Sequence, residues 1–289
     1  MHYIHLVETT LQQWKLQSGT SDPDINERHS QKAWDSKCIA VMKDNLMSHA
    51  LDNRDKARLL AAQAPHSGDW LFATPITAIG LRMSNETIRL AVGTRLGTRL
   101  CEPHTCPCGT LVDARGLHGL SCRRSAGRHT RHSQLNDIIW RSLCRAKVPA
   151  SKEPLGLTRS DGKRPDGVTL IPWSNGKCLT WDVTVPDTMA MSHVEATSTV
   201  AGAAADKAAA NKKIKYTALQ PTHIFVPVSV EIMGSWNFDS LNFVSNIGKK
   251  LTEVTGDPQE TSYLFQRLSV AIQRGNEISF AGTMSDFCY

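Results

Sequence analysis

Apolar residues recur at helical spacing through Ser30–Ala50 and Asp55–Ala62, which predicts amphipathic helices in the first hundred residues. Ser84 is placed to cap a helix over Asn85–Leu96, with Ile88, Leu90, Ala91 and Leu96 as its apolar positions and Gly97 as its stop. Leu135, Ile138, Ile139, Leu143 and Ala146 predict another helix over Ser133–Lys147. Val168–Trp173 and Cys178–Val185 then read as strands joined by Asn175-Gly176, the strongest short hairpin signal. Ser192 and Glu195 have capping-box spacing ahead of an Ala-rich helix over His193–Leu219. Thr222–Glu231 is β-branched and interrupted by Pro227, as a strand with one end near an edge would be. Asp239 can cap a helix reaching Thr255, and Asp257-Pro258-x-Glu260 can start one through Arg274. The order is α-β-β-α-β followed by two helices, an α/β fold behind a helical segment.

The 289 residues carry a net charge of +6, with 40% hydrophobic and 21% charged residues, values typical of a folded globular chain. That length predicts two domains or one with appendages. No run approaches the roughly 18 apolar residues of a membrane span. Met1-His2-Tyr3-Ile4-His5 lacks the basic flank and apolar stretch of an export signal, so secretion and membrane insertion are not expected. Charge is uneven: residues 101–165 hold twelve Lys or Arg against five acids. A local basic block of this kind is the usual footprint of a polyanion partner.

Four of the eight cysteines fall inside that block, at Cys101, Cys106, Cys108 and Cys122. Cys106-x-Cys108, then His118 and Cys122, supply four soft or borderline donors within 17 residues, which suits a tetrahedral structural zinc site. Gly109, Gly116 and Gly119 would let the backbone turn tightly about the ion. The first pair is more closely spaced than usual, so Cys101 or His104 is an alternative ligand.

A second constellation is acidic. Asp166 follows Arg164-Pro165, and Asp182 follows Trp181 on the partner strand. Two carboxylates on adjacent strands can hold Mg²⁺ at a scissile phosphate, with a lysine to orient the nucleophile or neutralise charge. The next helix offers Lys207, Lys212, Lys213 and Lys215, beside Tyr216. Apolar alternation with a two-residue turn, however, pairs 168 with 183 and puts the two acids on opposite faces. A shared site therefore requires a bulge at Gly167 or a three-residue Ser174-Asn175-Gly176 loop.

The sequence of a Cys-Cys-His-Cys knuckle, a basic helix with a histidine, Arg-Pro-Asp, Asp and Lys-x-x-Lys-Tyr resembles the restriction-like endonuclease at the C-terminus of site-specific non-LTR retrotransposon proteins. That domain belongs to the PD-(D/E)XK superfamily. The resemblance covers roughly 101–282, and the Arg82–Gly97 helix looks like the linker that follows the polymerase in such proteins. It implies a mixed-sheet restriction-endonuclease-like core over 128–289, a zinc knuckle over 101–127, and a helical linker or scaffold over 1–100. Cys106, Cys108, His118 and Cys122 would hold Zn²⁺. Asp166 and Asp182 would hold the catalytic Mg²⁺, and Lys212 would be the catalytic lysine, supported by Lys215 and Tyr216. Arg131, His132 and Asn136 would contact phosphate or complete the ligand shell. Arg123, Arg124, Arg128, Lys163 and Arg164 would add nucleic-acid contacts. The strand motif Asp182-Val183-Thr184 lacks the superfamily's usual lysine, which places that role on Lys212 in the following helix.

The implied activity is metal-dependent nicking of DNA in the nucleus, leaving a 3′-hydroxyl that primes reverse transcription, with element RNA as a possible further partner. No Asp-Asp dipeptide occurs, so the metal-binding motif of a reverse transcriptase is absent and copying would need a separate polymerase. Two other readings remain: a catalytically inactive nucleic-acid-binding remnant, and an unrelated zinc-stabilised protein with a coincidental acidic pair. Trp173 and Trp181 read as core in preference to base stacking, while Gln266, Arg267, Gln273 and Arg274 read as a solvated face of the last helix, with DNA backbone contact as the alternative.

Overall fold

The computed structural model describes residues 2–19 and 29–284. The chain forms two compact units, residues 1–52 and 53–289. In the first, α1 (His2–Ser18) packs on α2 (Gln31–Ser48) through the edge-on Trp14–Trp34 pair, ring centroids 4.7 Å apart. No residue of α2 is buried. The compact units part at residue 52 and not at residue 100, because α4 (Asn85–Leu96) packs on the C-terminal helix of the second unit.

The second unit starts with α3 (Asn53–Gln63) and α4. The Ser84 hydroxyl accepts the Thr87 N–H at 3.0 Å and Gly97 closes α4, as their positions predicted. A two-strand hairpin, β1 (His104–Thr105) and β2 (Leu111–Val112), and the short α5 (His118–Ser121) follow. Then come α6 (Gly127–Arg145), β3 (Ala150–Lys152), β4 (Gly167–Thr169), β5 (Cys178–Thr184), α7 (Val194–Thr197), α8 (Ala203–Lys215), β6 (His223–Ser229), α9 (Phe238–Thr255) and α10 (Glu260–Ala281).

The sheet order is β3-β4-β5-β6, antiparallel except for the parallel β5–β6 pair, so the protein is mixed α/β with a mixed sheet. One core joins Leu179, Trp181 and Val183 of β5 to Leu135 and Ile139 of α6, Phe243 and Ile247 of α9, and Leu264 and Leu268 of α10. Trp173 packs at its margin, edge-on to Phe243. Among the described residues no helix is long and apolar enough to cross a membrane.

Several local expectations are corrected. β3, Ala-Ser-Lys, is a strand because its backbone pairs with β4; its side chains carry no strand signal. The Ala-rich helix is two helices broken at Gly202, whose φ is +85°. Ser192 caps neither; the buried Glu231 carboxylate instead accepts the Ala204 N–H at 2.9 Å at the start of α8. Asn237, not Asp239, caps α9. Asp257 accepts the Gln259 N–H at 2.8 Å, but α10 continues past Arg274 to Ala281. The helix expected at Ser133 begins at Gly127.

The hairpin register is the correction that matters most. Asn175 and Gly176, both with positive φ, do form the two-residue turn between Ser174 and Lys177. Nevertheless Val168 pairs with Thr180, not with residue 183. Three extra residues are taken up between Thr169 and the turn, around Leu170-Ile171-Pro172, where Pro172 has no N–H for a ladder. Gly167 does not bulge: it sits opposite Trp181, and a Cβ there would lie 2.0 Å from the indole.

Candidate functional site

The Cys/His cluster is built by a tight turn and a short helix. The Gly109 N–H donates to the Cys106 carbonyl at 2.7 Å, with Gly109 at a φ of +90°, which brings Cys106 and Cys108 to one side of the hairpin end. Helix α5 presents His118, and Cys122 follows its last turn. Donor atoms of Cys106, Cys108, His118 and Cys122 all lie within 4.8 Å of one another. The Cys106 and Cys122 sulfurs are 3.8 Å apart, matching the roughly 3.7–3.8 Å edge of a tetrahedron with Zn–S bonds of about 2.3 Å. Cys108 Sγ is 3.1 Å from His118 Nε2. This Cys₃His cluster could hold a metal such as zinc.

Neither alternative ligand belongs to it. The Cys101 thiol donates to the Asp113 carbonyl at 3.4 Å, and His104 lies between the Glu102 carbonyl and the Thr283 hydroxyl. Hydrogen bonds from Thr110 draw the Cys108 thiol down to about 6, while burial pushes Cys106 up to about 11. Gly119 is small for a different reason than expected: a Cβ would meet the Ser279 carbonyl of α10 at 3.0 Å.

The acidic pair depends on the shifted register. With Gly167 opposite Trp181, Asp166 just before β4 comes beside β5 next to Asp182, where its carboxylate meets the Val183 N–H. Asp182 alternates with Trp181 and so faces the side on which α8 packs. Asp182, 3% exposed, forms an ion pair with Lys212 of α8. Asp166 accepts hydrogen bonds from His132 Nε2 at 2.9 Å and from the Val183 N–H at 2.5 Å. The Asp166 contact raises the His132 pKa above its ordinary value against the opposing effect of burial. Tyr216 is fully buried against Phe225 and donates to the Arg164 carbonyl at 2.8 Å, which pins the Arg-Pro-Asp segment. Lys215 donates to the same phenol oxygen at 2.9 Å. Burial lowers the Lys215 pKa and, together with the Asp182 carboxylate, raises that of Tyr216.

Two residues expected at phosphate are structural. Arg131 is 1% exposed and donates to the carbonyls of Gly275 and Leu120, to Asn276 Oδ1, and to Ser279 Oγ at 2.7 Å. Burial pushes its pKa down to about 10. It ties α6 to α10 and has no surface from which to touch a ligand. Asn136, also buried, accepts the Trp181 indole N–H at 2.8 Å and donates to the Asp166 carbonyl, so it positions the acidic pair. Arg123, Arg124, Arg128 and Lys163 are exposed, with Arg124 donating to the Pro107 carbonyl of the Cys/His hairpin. Arg164 forms an ion pair with Glu153.

Glu231 was missed by sequence reasoning. It ends a predicted strand with no motif around it, yet its carboxylate is fully buried at the start of α8. No protein-family model matches the chain, and no curated protein matches it either.

Proposed function

We propose that the chain is a metal-dependent DNA endonuclease that nicks one strand, built on a restriction-endonuclease-like core, with Cys106, Cys108, His118 and Cys122 as a structural zinc knuckle. The observation that carries this reading is Lys212 reaching the buried Asp182 while Asp166, just before β4, accepts the neighbouring Val183 N–H. The buried Asp182 needs a compensating charge, which Lys212 supplies, and the partly buried Asp166 is bonded to His132. That donor set suits an oxygen-seeking divalent cation, which Asp166 and Asp182 would hold. Bound there, Mg²⁺ would stabilise charge on the scissile phosphate and lower the pKa of an attacking water.

Displaced from Asp182, the Lys212 ammonium would orient that water or meet the developing phosphoryl charge. His132 would keep Asp166 aimed through its hydrogen bond, and Tyr216 would fix the backbone before it. Water attacks phosphorus, the bond to O3′ breaks, and a 3′-hydroxyl leaves. In this reading the protein acts on chromosomal DNA in the nucleus and derives from a non-LTR retrotransposon. Element RNA and a separate reverse transcriptase are its further partners.

A second reading, an inactive nucleic-acid-binding remnant, is favoured by the same ion pairs, because both carboxylates already have cationic partners. Nicking of supercoiled plasmid with Mg²⁺, run beside Asp182→Ala and Lys212→Ala, separates the two. Open circle from the wild type alone supports the nuclease. Intact plasmid from all three, with DNA binding preserved, supports the remnant.

A further inference from the structure

A groove of about 520 Å³ lies between α6, β3 and α10, at the margin of the buried core. Ser133, Asp137 and Arg141 line it at four-residue spacing, one position along the helix from His132 and Asn136 of the acidic site. Its floor includes Ile79, Ile138 and Ala271, and its cations are Arg141, Lys152, Arg267 and Arg274 against the single carboxylate of Asp137.

Three of those cations are held in place. Asp137 accepts from Arg141 at 2.6 Å and from Lys152 at 3.2 Å, and Arg274 donates to the Arg82 carbonyl at 2.5 Å. Arg267 is different: it is half-buried, and among the described residues it makes no hydrogen bond or ion pair. The nearby Glu260 is already bonded to Arg145 at 2.9 Å. Burial and the Arg145 charge hold the Arg267 guanidinium below its usual pKa. An arginine kept desolvated among other cations, over an apolar floor, is an arrangement completed by an anion.

At β3 the groove borders the sheet that carries the acidic pair, whose own residues do not line it. Lys152 pairs in β3 with Gly167 of β4, the residue after Asp166, and the Glu153 N–H donates to the Asp166 carbonyl at 2.9 Å. We infer that this groove is a strand-binding channel that takes backbone phosphates of a nucleic acid on Arg267 and Arg141. The assignment to a nucleic-acid strand rests on the nuclease reading. The face of α10 read as solvated is corrected in part: Gln273 is buried and Arg267 is half-buried.

The test is fluorescence anisotropy of a labelled single-stranded oligonucleotide and its duplex over a salt series. The proteins are the wild type, Arg267→Gln, Arg141→Gln/Arg267→Gln and Arg267→Lys, each first shown to melt like the wild type. Loss of two phosphate contacts should weaken single-strand binding roughly tenfold and flatten the salt slope by about 1.4. Arg267→Lys should recover most of the affinity. Unchanged affinity and slope in the double variant would overturn the channel, as would a wild type that binds neither oligonucleotide at low salt. Competition by pyrophosphate at or below the oligonucleotide's own dissociation constant would also overturn it, in favour of a small-anion site. Asp182→Ala is the independent control. If it binds as the wild type does and no form of the protein nicks plasmid, the channel stands and the nuclease reading falls.

Discussion

The Cys/His cluster and the acidic pair are both candidate metal sites, yet they are neutralised in opposite ways. Three thiols and an imidazole converge at the cluster, each offering one donor to the same point. At the acidic pair each carboxylate already has a basic partner, His132 on Asp166 and Lys212 on Asp182. A cluster of thiols and imidazole completed by an ion makes the ion part of the fold. A carboxylate pair that the protein itself can neutralise keeps its structure with or without one. On the proposed reading, the first site would hold a permanent metal and the second an exchangeable one.

The largest effect should come from breaking the first half of this contrast. Cys106→Ser is expected to lose the metal and melt far below the wild type, since apparent zinc affinity at structural sites is worth on the order of 10 kcal/mol. Elemental analysis with a thermal melt checks it. Arg131→Met should come next, at about 3 kcal/mol in urea unfolding, because several buried acceptors on α10 lose their donor. A phosphate-binding arginine would give no such loss.

Asp182→Asn should show the reverse pattern, with nicking abolished and stability within about 1 kcal/mol of wild type. The freed Lys212 is partly exposed and can turn to water. The smallest effect concerns Glu231, whose pKa is raised by burial. A carboxyl raised in the folded state costs stability as pH rises through its folded pKa, and not below its unfolded pKa. Glu231→Gln keeps an acceptor for Ala204 and should raise the melting temperature at pH 8 while changing little at pH 4.

How much of this was legible in the chain follows from how local each signal is. The Ser84 cap, the Gly97 stop and the Asn175-Gly176 turn act within a few residues, and all three form as read. The spacing of the Cys/His set likewise specifies its own hairpin. The register of β4 on β5 does not depend on the turn alone. It is set by Trp181 under Gly167 and by the extra residues around Pro172, a packing fit that alternation cannot encode. Arg131 was misread for the same reason: only the approach of α10, with Gly275 leaving room for the arginine stem, shows where its guanidinium ends. β3 was invisible because its pairing comes from its neighbour and not from its own residues.

The most direct test is plasmid nicking by protein treated briefly with EDTA, with zinc content measured on the same sample. The contrast between the sites predicts about one zinc per chain surviving the treatment, open-circle formation lost to the chelator, and its return on adding Mg²⁺ alone. Nicking that persists in EDTA, or that returns with Zn²⁺ and not with Mg²⁺, would contradict it.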